Sequence, residues 1–144
     1  MQVIVPTSPI GVTMRPMPIP EYHVFIKVSF QKEGIHKFPG ADTDPKYATG
    51  GWDDVSFLGY PHRHIFYFYV TLGVSHNDRD VEFIQFKREL ERTFDQGVVK
   101  LDHQSCEMVG ESLINYIEEH YPNRAVKVEV YEDNENGGII QNDL

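Results

Sequence analysis

A chain of 144 residues, 40% of them hydrophobic, has the length and apolar content for one domain with a real core. Its formal charge of −9, with no segment rich in Lys and Arg, argues against a binder of the nucleic-acid phosphate backbone. No apolar run approaches the roughly 20 residues of a membrane span, no cleavable signal pattern opens the chain, and the lone Cys106 excludes an internal disulfide. The expectation is a cytoplasmic protein whose partner is a small molecule or another copy of itself.

In chain order, residues 6–20 hold five of the nine prolines (Pro6, Pro9, Pro16, Pro18, Pro20). Proline fixes φ and lacks an N–H, so residues 1–20 are expected as an extended arm, free or laid along a neighbouring subunit, ahead of one domain over 21–144. Tyr22, Val24, Ile26, Val28 and Phe30 alternate and predict a first strand. Residues 31–61, rich in Gly, Pro and Asp and carrying the sole tryptophan, Trp52, read as a long loop of the kind that is often functional.

His64 to Val74 is dense in aromatic and β-branched residues and predicts a second strand. Asn77-Asp-Arg-Asp80 offers N-caps, and Phe83, Phe86, Leu90 and Phe94 form one apolar stripe of a helix within 81–95, ended by Gly97. A second helix begins after Ser105, with Val109, Leu113, Tyr116, Ile117 and Tyr121 on its buried side and Pro122 blocking its continuation. Arg124 to Tyr131, with Val126, Val128 and Val130 on one face, predicts a third strand. Beyond Glu132-Asp-Asn-Glu-Asn136 and a turn at Gly137-Gly138, Ile139-Ile140 predicts a short last one. The order ββααββ implies an α+β fold, an antiparallel sheet with two helices on one face. Its open edges and uncovered face call for assembly with other copies.

The chemistry concentrates at Leu58-Gly-Tyr-Pro-His-Arg-His-Ile-Phe-Tyr-Phe-Tyr-Val70. Residues i and i+2 of a strand share a face, so His62 and His64 can aim at one point. His36, in Gly34-Ile-His-Lys-Phe38, stands where a neighbouring strand would supply a third imidazole. Three histidines with an open fourth position are the pattern of catalytic zinc, although imidazoles accept several divalent ions.

Over about residues 22–140 this pattern resembles the 6-pyruvoyl-tetrahydropterin synthases and the related 6-carboxy-tetrahydropterin synthases. His36, His62 and His64 resemble that family's zinc ligands, a histidine after strand one and a His-Gly-His opening strand two, with Arg63 in place of the glycine. Val81-Glu-Phe-Ile-Gln-Phe-Lys87 and Leu101-Asp102-His103 resemble two further family segments. Of the Pro-Thr-x-Glu-Asn that opens the family's second helix, Met108-Val-Gly-Glu-Ser112 keeps Glu111. Glu132-Asp133 occupies the place of the Glu-Thr that anchors the pterin ring.

The resemblance implies the tunnelling fold, in which ββααββ subunits assemble into ring-like barrels, commonly hexamers. It implies zinc on His36, His62 and His64, Asp102 and His103 as catalytic residues, and Glu132 and Glu111 as substrate ligands. A carboxylate such as Glu132 can accept two parallel hydrogen bonds from the side-by-side N–H and amino groups of a pterin. Zinc would polarise the oxygens of the substrate side chain and acidify the neighbouring C–H. Asp102 would fix the tautomer of His103 for proton transfer. Lys27, Lys32, Lys37, Arg63 and Lys87 are candidates for a triphosphate pocket.

One departure bears on turnover. The family's catalytic cysteine lies four residues before the first histidine of its His-Gly-His, and that position here is Leu58. Cys106, the only thiol, can approach the site only from the second helix. Two functions follow: a zinc-dependent lyase acting on 7,8-dihydroneopterin triphosphate, of the 6-carboxy-tetrahydropterin synthase type that feeds 7-deazaguanine and queuosine synthesis, or a protein of the same fold that binds zinc and a pterin or purine without turnover.

Overall fold

The structure is a computed structural model that describes residues 22–144, and the proline-rich arm expected over 1–20 lies outside them. The elements are β1 (Val24–His36), β2 (His62–Val74), α1 (Phe83–Glu91), β3 (Val99–Asp102), α2 (Cys106–His120), β4 (Val126–Glu132) and β5 (Asn136–Gln141), with a single 3₁₀ turn over Ser56–Gly59 before β2. They form an α+β fold with one five-stranded sheet in the order β3-β1-β2-β4-β5. Among the described residues no helix is long and apolar enough to cross a membrane.

The sheet is mixed rather than antiparallel as expected. β1–β2, β2–β4 and β4–β5 are antiparallel, but β3 runs parallel to β1 at the edge. Four residues of alternating burial between two helices give too short a pattern to register as a strand in the sequence. β1 also runs six residues past the expected end at Phe30, pairing with β2 from Val24↔Val74 to His36↔His62. Gly34 is the residue that makes the extension possible. A Cβ there would sit 2.9 Å from two ring carbons of Phe66, so only glycine lets that ring lie across the strand.

One face of the sheet alternates into the core. Val28 and Phe30 of β1, Phe66, Phe68, Val70 and Leu72 of β2, and Val126, Val128 and Val130 of β4 are all buried. Phe68 stacks on Phe30 with centroids 4.7 Å apart and meets Phe94 at 5.0 Å, so Phe68→Ala should cost about 3–5 kcal/mol. α1 packs against β1, and α2 against β4 and β5. α1 is shorter than its apolar stripe suggests: Phe86 and Leu90 are buried, Phe94 packs from beyond the helix end, and Phe83 is exposed. Its N-cap is Glu82, whose carboxylate accepts from the N–H groups of Ile84 and Gln85 at 2.6 and 2.9 Å. Asp80, among the candidate caps, instead holds Ser75 and Arg124.

α2 begins where expected, Ser105 Oγ accepting from Met108 N–H at 3.1 Å, and buries Val109, Leu113 and Ile117. The β4–β5 turn is not at Gly137-Gly138. Asp133 and Asn134, at φ 51° and 59°, make it, and both glycines lie inside β5. Asp and Asn tolerate the left-handed region that tight hairpins demand, which moves the turn four residues upstream.

Candidate metal centre

Strand register assembles the site at one end of the helix-covered face. His36 stands opposite His62, and His64 shares their face two residues on. Phe66, two further, pairs with Glu132, which puts that carboxylate on the same face beside His64. One ligand atom from each of His36, His62, His64 and Glu132 lies within 4.8 Å of all the others. The rings of His36 and His64 stand edge-on to Phe66 at 5.2 and 5.8 Å, so an apolar floor backs the cluster.

Hydrogen bonds fix which nitrogen each ring presents. Nδ1 of His36 donates to the Gln104 carbonyl at 2.7 Å, and Nδ1 of His62 to the Tyr60 carbonyl at 2.8 Å, because a carbonyl oxygen only accepts. Nδ1 of His64 donates to Asp133 Oδ2 at 2.7 Å, and the other oxygen of Asp133 accepts from Ile65 N–H at 3.0 Å. All three rings are therefore tied outward at Nδ1, and in the neutral form each offers Nε2 as a lone pair. Such outward ties are the usual support of metal-bound imidazoles.

The inward side is short of cations. Nε2 of His36 lies 2.9 Å from Glu132 Oε2, and Nε2 of His64 lies 2.8 Å from the same oxygen. The second contact lacks hydrogen-bond alignment, so His64 Nε2 is buried without a partner. A neutral imidazole nitrogen and a carboxylate oxygen are both acceptors, and a proton or a metal ion must stand between them. The hydrogen bond to Glu132 raises the pKa of His36 against the opposing effect of burial. The same bond lowers that of Glu132, and the bond from His64 lowers that of Asp133. Tetrahedral donors about 2.0–2.1 Å from zinc lie roughly 3.3 Å apart, so the cluster needs only small shifts to take an ion. The donor set, the orphaned Nε2 and the outward ties fit a bound metal ion.

Beside the cluster opens a cavity of about 490 Å³. His36, His62 and Glu132 form its metal-side wall, Phe38 and Leu58 an apolar one, and His103 to Met108 the wall at the α2 N-terminus. The volume suits a small bicyclic ligand. Of the five basic residues considered for a phosphate pocket, Lys37 alone lines it.

The structure thus brings His36, His62, His64 and Glu132 together and adds His103 at the cavity wall. Asp102 is exposed at the end of β3, at φ 56°, and lies outside the lining; no hydrogen bond joins its side chain to His103 among the described residues. Glu111 is exposed on α2 and also outside the lining, whereas Glu107, one turn earlier, is in it. The signal for Glu107 was in the sequence. Ser105 is the N-cap, so Ser105-Cys106-Glu107 rather than Met108–Ser112 opens the helix. Gly138 permits this approach, since a Cβ there would come within 2.9 Å of Glu107 Cγ. Cys106 is buried in the same wall, and burial, with the charges of Glu132 and Glu107, pushes its thiol pKa up to about 12.

Set against known proteins, the chain matches no protein-family model and no curated protein.

Proposed function

We propose that this chain is a zinc-dependent lyase with the tunnelling fold, acting on 7,8-dihydroneopterin triphosphate to give a 6-carboxy-tetrahydropterin. The observation that carries the reading is the convergence of three outward-tied histidines and a carboxylate beside a ligand-sized cavity, with His36, His62 and Glu132 in its wall. Zinc held there would act as a Lewis acid toward hydroxyl or carbonyl oxygens of the substrate side chain. The cavity's own residues supply the rest. Phe38 and Leu58 give the flat ring an apolar surface, Lys37 and the α2 N-terminus attract the phosphates, and His103 is placed to take or return a proton. Glu132 is the carboxylate for the amino and N–H edge of the pterin.

Assembly into a ring, a hexamer by resemblance, belongs to the same proposal. β3 covers only Gly34 to His36 of β1, which leaves the rest of that strand edge unpaired among the described residues. Phe25, Ile65 and Ile139 are exposed on the face without helices. Native mass spectrometry of the full chain tests it, and a monomer at micromolar concentration would remove the ring.

A second reading has its own support. Leu58 lines the cavity where the resembled family has its cysteine, and Cys106 is held as a neutral thiol. Neither moves a proton near neutral pH, which favours a protein that binds zinc and a pterin or purine without turnover. Metal analysis of protein purified without added metal, then incubation with dihydroneopterin triphosphate, separates the two. About one zinc per chain with a tetrahydropterin product supports the lyase. Zinc and bound pterin without product supports the binding protein, and absence of metal overturns both.

A further inference from the structure

We infer that Glu132 is the fourth protein donor of the histidine site, so that the metal is closed at rest by a carboxylate rather than by water. The inference rests on the metal site proposed above and changes what that site is. A His₃ site keeps an open position, whereas His₃ with a carboxylate fills a tetrahedron.

Three observations carry it. Oε2 of Glu132 approaches two imidazole nitrogens, His36 Nε2 at 2.9 Å and His64 Nε2 at 2.8 Å. One proton relieves one of these two acceptor–acceptor contacts at a time, while an ion held by Oε2 and both nitrogens would relieve the two at once. The position is also enforced by the backbone, because the Phe66↔Glu132 pair fixes the carboxylate on the histidine face. Finally, Oε1 has no hydrogen-bond partner among the described residues, although Glu132 lines the cavity. One oxygen faces the imidazole nitrogens and the other is free to accept from a ligand.

Glu132 is thereby shared between metal and ligand. A ligand with paired N–H donors competes for the carboxylate that closes the site, so ligand entry is what opens a coordination position. Metal and ligand must then change each other's affinity by the same factor.

The test is cobalt(II) and zinc binding to the full-length wild-type chain and to Glu132→Gln, Glu132→Ala and His62→Ala, by visible absorption and by chelator competition. Wild type should show the intense visible bands of a four-coordinate site. Both Glu132 variants should lose at least about tenfold in affinity with altered bands, since even support residues of metal ligands are worth 10–100-fold. Acetate should restore the wild-type bands in Glu132→Ala by refilling the position. Unchanged affinity and spectrum in both Glu132 variants, with metal lost in His62→Ala, would overturn the fourth donor and leave the histidine site standing. Unchanged binding in His62→Ala as well would remove the site itself. Glu132→Gln is nearly isosteric, so its melting curve reports whether any loss is one of folding.

Discussion

The two ends of the sheet each carry a polar cluster, and they differ in whether donors and acceptors balance. At one end, Asp80 accepts from Ser75 N–H at 2.9 Å and from Arg124 at 2.8 Å, and Arg124 also donates to the Gly73 carbonyl at 3.2 Å. Every charge there has a partner of opposite sign, and the cluster ties β2, the approach to α1 and the start of β4. At the other end, three imidazoles donate at Nδ1, and Nε2 of His36 and of His64 both face one Glu132 oxygen that also accepts. A balanced cluster is complete as a structural tie, whereas an unbalanced one calls for a cation. The difference supports the metal site proposed at the histidine end without reference to any relative.

The largest effect that can break this contrast is on metal content. His62→Ala should take bound metal from about one ion per chain to near none, measured by elemental analysis after desalting. Asp80→Asn should leave it unchanged and lower Tm instead. Metal retained at full occupancy in His62→Ala would mean that the ion is held elsewhere and that His62 is not a ligand.

Next in size is the outward tie of His64. Asp133→Asn removes the carboxylate at 2.7 Å from Nδ1 but keeps the turn residue type, since Asn also tolerates the φ of 51°. Metal affinity should fall by about 10–100-fold in a chelator competition, with the fold intact by circular dichroism. An unchanged affinity would show that the ring is oriented by packing on Phe66 rather than by Asp133.

This pair of residues also marks what was legible in the sequence. His62 and His64 were readable because strand periodicity is local, and Val126, Val128 and Val130 were readable for the same reason. His36 falls within the segment that reads as a loop, because Gly34 interrupts the alternation and its purpose, the Phe66 ring, lies 32 positions away. That Glu132 and Asp133 reach the same cluster depends on the β2–β4 register, a long-range pairing that no local pattern encodes. Asp102 and Glu111 rest on the resemblance of short motifs alone. Neither lines the cavity, since a strand end and a helix turn displace side chains by more than motif alignment resolves.

The pH dependence of stability sharpens the contrast further. His36 is raised above 6.5 by Glu132, so its contribution is fully present below that value and is lost as pH rises through the folded pKa. Glu132, lowered from 4.5, contributes above that value and is lost as pH falls through its folded pKa. Metal-free protein should therefore be most stable at this end between about pH 4.5 and 6.5 and should lose Tm above it. With metal bound the trend should reverse, because the ion needs deprotonated imidazoles and competes better as pH rises. At the Arg124 end, Ser75 N–H first and Arg124 second hold the Asp80 carboxyl far below its usual range. That contribution should persist until strongly acid pH in both forms. Scanning Tm against pH with and without zinc checks all three statements, and identical profiles for the two forms would defeat the assignment of the histidine end.

The smallest expected effect is at Cys106, and its smallness is informative. The thiol is buried in the cavity wall with a pKa of about 12, against an ordinary 9.0, chiefly because burial penalises the thiolate. Three pKa steps mean about a thousandfold less thiolate near neutral pH, and the thiolate is the nucleophile. Native protein at pH 8 should therefore react with iodoacetamide about a thousandfold more slowly than the unfolded chain. Cys106→Ser should keep full metal content and any turnover, because a wall residue with a neutral thiol packs but does not move protons. Rapid native alkylation, or loss of turnover in Cys106→Ser with metal still bound, would instead make this thiol the replacement for the cysteine that Leu58 displaces. It would also extend the functional end of the molecule from the sheet into the first turn of α2.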